Sequence, residues 1–171
     1  MSKENGALTF MIFETSLGWV GVVGSTAGIK KVILPLKSKE AVLGLIAGTG
    51  CQVENQSNGN LVDITDRIRR YFDGEPVDFE DKLDLSGTTR FQQDVWRMTR
   101  NIPRGETRSY GWVASQLGMP KAARAVGQAL GRNPVPIVVP CHRVVGGDGR
   151  LVGFGGGLKV KKFLLQLEQS A

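Results

Sequence analysis

The chain has little of what metal centres and disulfide scaffolds are made from. Its 171 residues include two cysteines and one histidine. Cys51 and Cys141 stand in different contexts, so reduced thiols are expected rather than a disulfide framework. Such a set cannot by itself assemble a Cys/His metal site, and neither a metal nor another cofactor is expected. No apolar run approaches the ~20 residues that cross a bilayer. The opening MSKENGALTF lacks the apolar stretch of a secretory signal. The expectation is a cytoplasmic protein with no membrane partner.

Negative charge is also scarce, but only in one half. Residues 1–86 hold nine Lys/Arg and twelve Asp/Glu, a net charge of −3, whereas residues 87–171 hold thirteen and four, a net charge of +9. Such a reversal points to a polyanion-binding second half. Charge alone does not separate DNA from RNA or anionic lipid. The length suits one substantial core or two small ones.

The first half reads as strands followed by helices. TFMIFET (9–15) and GWVGVVGS (18–25) flank a turn at Ser16 and Leu17 and form a candidate hairpin. After a second turn at Gly28, IKKVILPL (29–36) is a third strand, which Pro35 ends or places at an edge. SKEAVLGLIAG (38–48) suggests a helix capped by Ser38, with Ala41, Leu45 and Ile46 at helical spacing. ENQSNGN (54–60) reads as a loop. LVDITDRIRRYFDG (61–74) carries Leu61, Ile64, Ile68 and Phe72 on one helical face. EPVDFEDKLDLSG (75–87) is an acidic, extended connector that can lie along the first domain. A boundary near Ser86 and Gly87 gives two domains, 1–86 and 87–171.

The second half is punctuated like a helical domain. TTRFQQDVWRMTRNIP (88–103) has a threonine cap, buries Phe91, Val95, Trp96 and Met98, and stops before Pro103. A short helix in GETRSYGWVASQLG (105–118) ends at Gly118, and a further helix opens at Pro120 and runs to about Leu130. Two short helices joined by LGMP fit a helix-turn-helix or an ordinary helical hairpin, and the basic charge favours the former. Ala122, Ala123, Ala125, Gly127 and Ala129 surround one long side chain, Arg124. Small residues serve helix packing; they also let a helix approach a nucleic-acid groove with the arginine as a probe.

Cys141 follows PIVVP, which reads as a buried strand, and precedes the chain's sole histidine. A cysteine there is either a buried small hydrophobe or a nucleophile. His142, the positive Arg143, which favours a thiolate, and the glycine-rich GGDGRLVGFGGG (146–157) weigh toward a nucleophile.

Taken in order, FQQDVWRMTRNIPRGETRSYGWVASQLG, KAARAVGQAL, NPVPIVVPCHRVV and GLKVKKFLLQLE resemble the O6-alkylguanine-DNA alkyltransferases, also called methylated-DNA–protein-cysteine methyltransferases. The resemblance covers residues 88–168, and PCHRV is its most specific element. Over residues 1–85 it is architectural only. It implies an α/β plus α architecture: a small ribonuclease H-like N-terminal domain, then a winged-helix-like helix-turn-helix C-terminal domain. The implied activity is single-turnover DNA repair, in which the alkyl group of O6-alkylguanine in duplex DNA passes irreversibly to the protein. O4-alkylthymine is a further candidate substrate.

Residue by residue, the resemblance makes Cys141 the acceptor, His142 its activator through a water, and Glu168 the carboxylate orienting that histidine. Tyr110 would help turn the nucleotide out and donate a hydrogen bond. Asn133 would brace the turn before the cysteine. Arg124 would fill the vacated stack through the minor groove, with Ala123, Ala125 and Gly127 allowing the approach. Val138, Pro140, Val144, Phe154, Gly155 and Gly156 would line the base pocket. The implied partner is double-stranded DNA, bound by a monomer, with cooperative assembly on DNA left open and a nucleoid location when bound.

Two departures stand out. The family commonly has tyrosine where this chain has Phe154, so a hydroxyl near the alkylated oxygen is missing. Some relatives bind a structural zinc in the N-terminal domain, which here has no histidine and only Cys51. Cys51 is therefore read as structural. Three rival readings are a non-catalytic binder of damaged DNA, a helix-turn-helix regulator with a sensing cysteine, and a cysteine hydrolase. The acceptor cysteine, the small spare length and the basic helical pair disfavour them in turn.

Overall fold

A computed structural model describes residues 7–51 and 61–170. The chain divides into two compact units between Asp84 and Leu85. The loop expected over 54–60 lies outside the described residues.

The first unit begins with an antiparallel sheet in the order β1 (Thr9–Thr15), β2 (Gly18–Ser25), β3 (Gly28–Leu36). The β1–β2 hairpin closes through Ser16 and Leu17, with Thr15 opposite Gly18. β2 is central, and Val20, Val22 and Val23 are all buried. Pro35 lies on the outer strand, beside a register shift where β2 steps from Trp19 to Gly21.

Helix α1 (Lys39–Ala47) is capped by the Ser38 hydroxyl, which accepts from the Ala41 N–H at 3.1 Å. Its buried face is Val42 and Ile46, not the expected Ala41, Leu45 and Ile46; Leu45 is exposed. The cap sets the phase: Val42 packs so closely on β2 that a Cβ at Gly21 would come within 2.6 Å of it. Helix α2 (Val62–Phe72) buries Ile64, Ile68, Tyr71 and Phe72, with Leu61 buried just before it. The segment after α2 runs extended along β3, with Leu83 bridging Ile29 in parallel and Arg67 holding Asp81. Gly28 is needed there: its φ is +144°, and a Cβ would lie 2.3 Å from the Lys82 carbonyl oxygen. Cys51 is buried in this core and donates to the Leu8 carbonyl.

In the second unit, helix α3 (Arg90–Arg100) starts from a capping box between Thr89 and Gln92. It buries Val95, Trp96 and Thr99, while Phe91 and Met98 are half-buried. Helices α4 (Tyr110–Gln116) and α5 (Ala123–Gly131) are joined through Gly118, whose φ of +73° ends the first. α5 begins at Ala123 rather than Pro120, because Met119–Ala122 forms a turn closed by the Ala122 N–H on the Met119 carbonyl. The Trp96 indole N–H donates to the Ala129 carbonyl at 2.9 Å, tying α3 to α5.

PIVVP is buried but is not a strand. Ile137 has a φ of +73°, the Val139 N–H returns to the Val135 carbonyl, and the segment is a run of tight turns. The short parallel pair β4 (Arg108–Ser109) and β5 (Val144–Val145) has no periodicity to betray it. The unit ends in α6 (Leu158–Gln169), entered through Gly157 at φ 90°, ψ 158°, a backbone state essentially restricted to glycine.

Candidate active site

Cys141 sits at the start of a single 3-10 turn, Cys141–Arg143, between the folded-back 133–140 segment and β5. Asn133 fixes that segment from inside. Its Nδ2 donates to the Val139 carbonyl at 3.0 Å, and its Oδ1 accepts the Val135 N–H at 2.9 Å. Val138, Pro140 and Val144, on either side of the cysteine in sequence, are all buried.

His142 is fully buried, and its Nε2 lies 2.6 Å from Oε1 of Glu168 on α6. Arg143 grips the same carboxylate twice, Nε to Oε2 at 2.9 Å and Nη2 to Oε1 at 2.8 Å, and donates through Nη1 to the Ile102 carbonyl. The expectation that Arg143 charges the thiol's surroundings is corrected here: the guanidinium is the counter-ion of Glu168. Burial alone would raise the Glu168 carboxyl, but the hydrogen bonds from His142 and Arg143 and the Arg143 charge hold it well below the usual carboxylate range. Burial pulls His142 below its ordinary value despite Glu168, with Arg143 and Lys161 adding to the effect. The pair is therefore an ionised carboxylate and a neutral imidazole. A carboxylate only accepts, so Nε2 carries the proton and Nδ1 presents a lone pair.

Burial pushes the Cys141 thiol up, against the Asn133 side chain, the Lys161 charge and backbone N–H groups. The resting sulfur is a protonated thiol, and a nucleophile here needs a base. The imidazole of His142, held by Glu168, is the candidate for it.

Lys161, on α6, was not singled out in the sequence. It is fully buried, and its Nζ donates to the carbonyls of Val144, Val152 and Gly153 at 2.7, 2.9 and 3.3 Å. Its spacing from Glu168 and Leu164 on one face of α6 was the available signal. Tyr110 joins the same cluster: its hydroxyl donates to the Val152 carbonyl at 2.7 Å, and the Lys161 Nζ lies 5.8 Å from its ring centre.

Arg124 is placed differently. It and Ala125 are exposed on α5, Ala123 and Gly127 are half-buried, and Ala129 faces the core. A Cβ at Gly127 would stand 3.7 Å from the Tyr110 ring. Phe154 is half-buried in the glycine-rich loop, where Gly155 and Gly156 are exposed.

Residues 90–170 match the family model described as the DNA-binding domain of 6-O-methylguanine DNA methyltransferase. A methylated-DNA–protein-cysteine methyltransferase of Methanosarcina acetivorans is 42% identical over 161 residues, covering 94% of this chain and 98% of that protein. Its counterpart in Mycobacterium bovis is 56% identical over 112 residues, 66% of this chain and 67% of that one. The crystal structure of Mycobacterium tuberculosis OGT in complex with DNA superposes with a TM-score of 0.79 at 39% identity, over 95% of this chain and 93% of that one. The mixed α/β fold, a small sheet with helices, is that of these OGT structures.

Proposed function

The chain belongs to the methylated-DNA–protein-cysteine methyltransferases, DNA-repair enzymes, and on that basis we propose that Cys141 is the acceptor of the alkyl group. The observation that carries this is the buried Glu168–His142 pair, whose histidine directly follows in sequence a thiol that burial keeps protonated. His142 Nδ1, the ring nitrogen opposite the Glu168 contact, takes the thiol proton through a water. The sulfur attacks the alkyl carbon, the carbon–O6 bond breaks, and its electron pair leaves with guanine, which takes up a proton. Glu168 stabilises the imidazolium formed on the way. A thioether product has no leaving group for the histidine to act on, so each molecule reacts once.

The substrate is proposed to be O6-alkylguanine in duplex DNA, with O4-alkylthymine as a secondary substrate. A base inside the stack is out of reach of a buried thiol, so the nucleotide is turned out through the minor groove. Exposed Arg124 fills the gap, and the small residues Ala123, Ala125 and Gly127 let α5 approach. Tyr110 reaches the base or its phosphate by exchanging the Val152 carbonyl for the new acceptor. Val138, Pro140, Val144, Phe154, Gly155 and Gly156 form the pocket, and Phe154 shifts polarisation of the leaving oxygen onto Tyr110. Asn133 holds the cysteine segment. Residues 1–86 form a ribonuclease H-like domain and residues 87–171 a winged-helix-like helix-turn-helix domain. The protein acts as a monomer in the cytoplasm.

Intact mass after incubation with an O6-methylguanine duplex tests this. One methyl is gained by the native protein and none by Cys141→Ser; an unchanged native mass at equimolar DNA contradicts it.

A further inference from the structure

We infer that Lys161 is a positioning residue that fastens the glycine-rich loop to the acceptor side of the site. The inference deepens, and rests on, the reading of Cys141 as acceptor. A lysine is among the residues least often buried, and one that is buried needs partners for its charge. Here three carbonyls meet the three hydrogens of an ammonium, which is full satisfaction. The three come from two places that matter. Val144 begins β5 directly after the Cys141–Arg143 turn, and Val152 and Gly153 belong to the loop that carries Phe154. One cation thus crosslinks the backbone that follows the thiol in sequence to the loop assigned above to the base pocket.

The loop has few other constraints. Gly153 has a φ of +51°, Val152 is exposed, and residues 151–154 form no regular element. Without the ammonium, the carbonyls of Val152 and Gly153 are released to water, and the loop spreads over many conformations. The Val152 carbonyl accepts from Lys161 and Tyr110 at once. Losing the lysine therefore loosens the tyrosine whose ring would lie 3.7 Å from a Cβ at Gly127 of α5. The cation also adds to the positive potential at Cys141, so it orders the site and favours ionisation of the sulfur together.

Lys161→Met keeps the length of the side chain and removes the charge and donors. The variant is expected to accept methyl from an O6-methylguanine duplex at least tenfold more slowly than the native protein, per folded molecule. Backbone amides of residues 152–157 should exchange hydrogen faster. The pH midpoint for labelling of Cys141 by iodoacetamide should move upward, which a purely structural loss does not predict. Lys161→Arg, which retains the cation, should recover part of the midpoint shift. Native transfer rate, native loop exchange and an unmoved midpoint in Lys161→Met would overturn the inference. If Lys161→Met does not fold, the native protein serves: its lysine ammonium resonances should include a slowly exchanging one that moves when Cys141 is methylated. A Lys161 resonance that exchanges freely, or does not respond, overturns it. A native protein that takes no methyl at all refutes instead the assignment of Cys141.

Discussion

His142 is fully buried against the ionised carboxylate of Glu168, and its proton affinity is where chemistry and stability meet. Its folded pKa lies below the ordinary 6.5, because burial disfavours the imidazolium. Below that ordinary value the unfolded chain binds a proton that the folded chain refuses, so stability falls as pH drops from there toward the folded pKa. Glu168, held below the carboxylate range, contributes a constant amount above about pH 4.5, its ordinary value. Urea unfolding should therefore show lower stability at about pH 5 than at about pH 7.5. Equal stabilities at the two values contradict a buried neutral imidazole. Cys141, His142 and Glu168 were legible as candidates because reactive residue types in an unusual order resemble little else. Lys161 was not, since a lysine in KVKKFLL reads as solvated, and only the folded backbone reveals three carbonyls around it. The role of Arg143 was misread for a related reason. Its charge is visible in sequence, but the carboxylate that neutralises it lies 25 residues away.

Periodicity delivered the long elements. The hairpin, β3 and α2 follow their alternation and helical spacing, and α3 announces itself by Thr89 and Gln92. It failed where a few residues fold by tertiary contact. PIVVP has strand composition, yet the Asn133 side chain and the positive φ of Ile137 turn it back on itself. A β-branched residue in that region costs about 1–3 kcal/mol, so the surroundings must hold it. Asn133→Ala removes both clamping bonds and leaves buried Val135 and Val139 backbone groups without them. It should cost about 2 kcal/mol or more in urea unfolding and slow alkyl transfer by loosening Cys141. A loss under about 0.5 kcal/mol would show that the turn holds without the brace.

At the scale of the whole molecule, charge is divided more sharply than any single motif: net −3 in residues 1–86 against +9 in residues 87–171. The basic part includes the exposed Lys121, Arg124 and Arg132 on and beside α5. Neutralising even two phosphates releases counter-ions, so duplex affinity should fall about tenfold or more between about 50 and 200 mM salt. Affinity independent of salt would mean that these cations do not face the backbone. The mixed α/β character followed from the order of strands and helices, and the family from residues 88–168. On the proposed chemistry, one guanine is restored for each cysteine consumed. Titrating an O6-methylguanine duplex with the protein, and mapping the peptide that carries Cys141, measures both sides of that exchange. Restoration should stop at one lesion per molecule, with the methyl on Cys141; continued turnover, or a methyl on any other residue, would rule out single-use transfer to that sulfur.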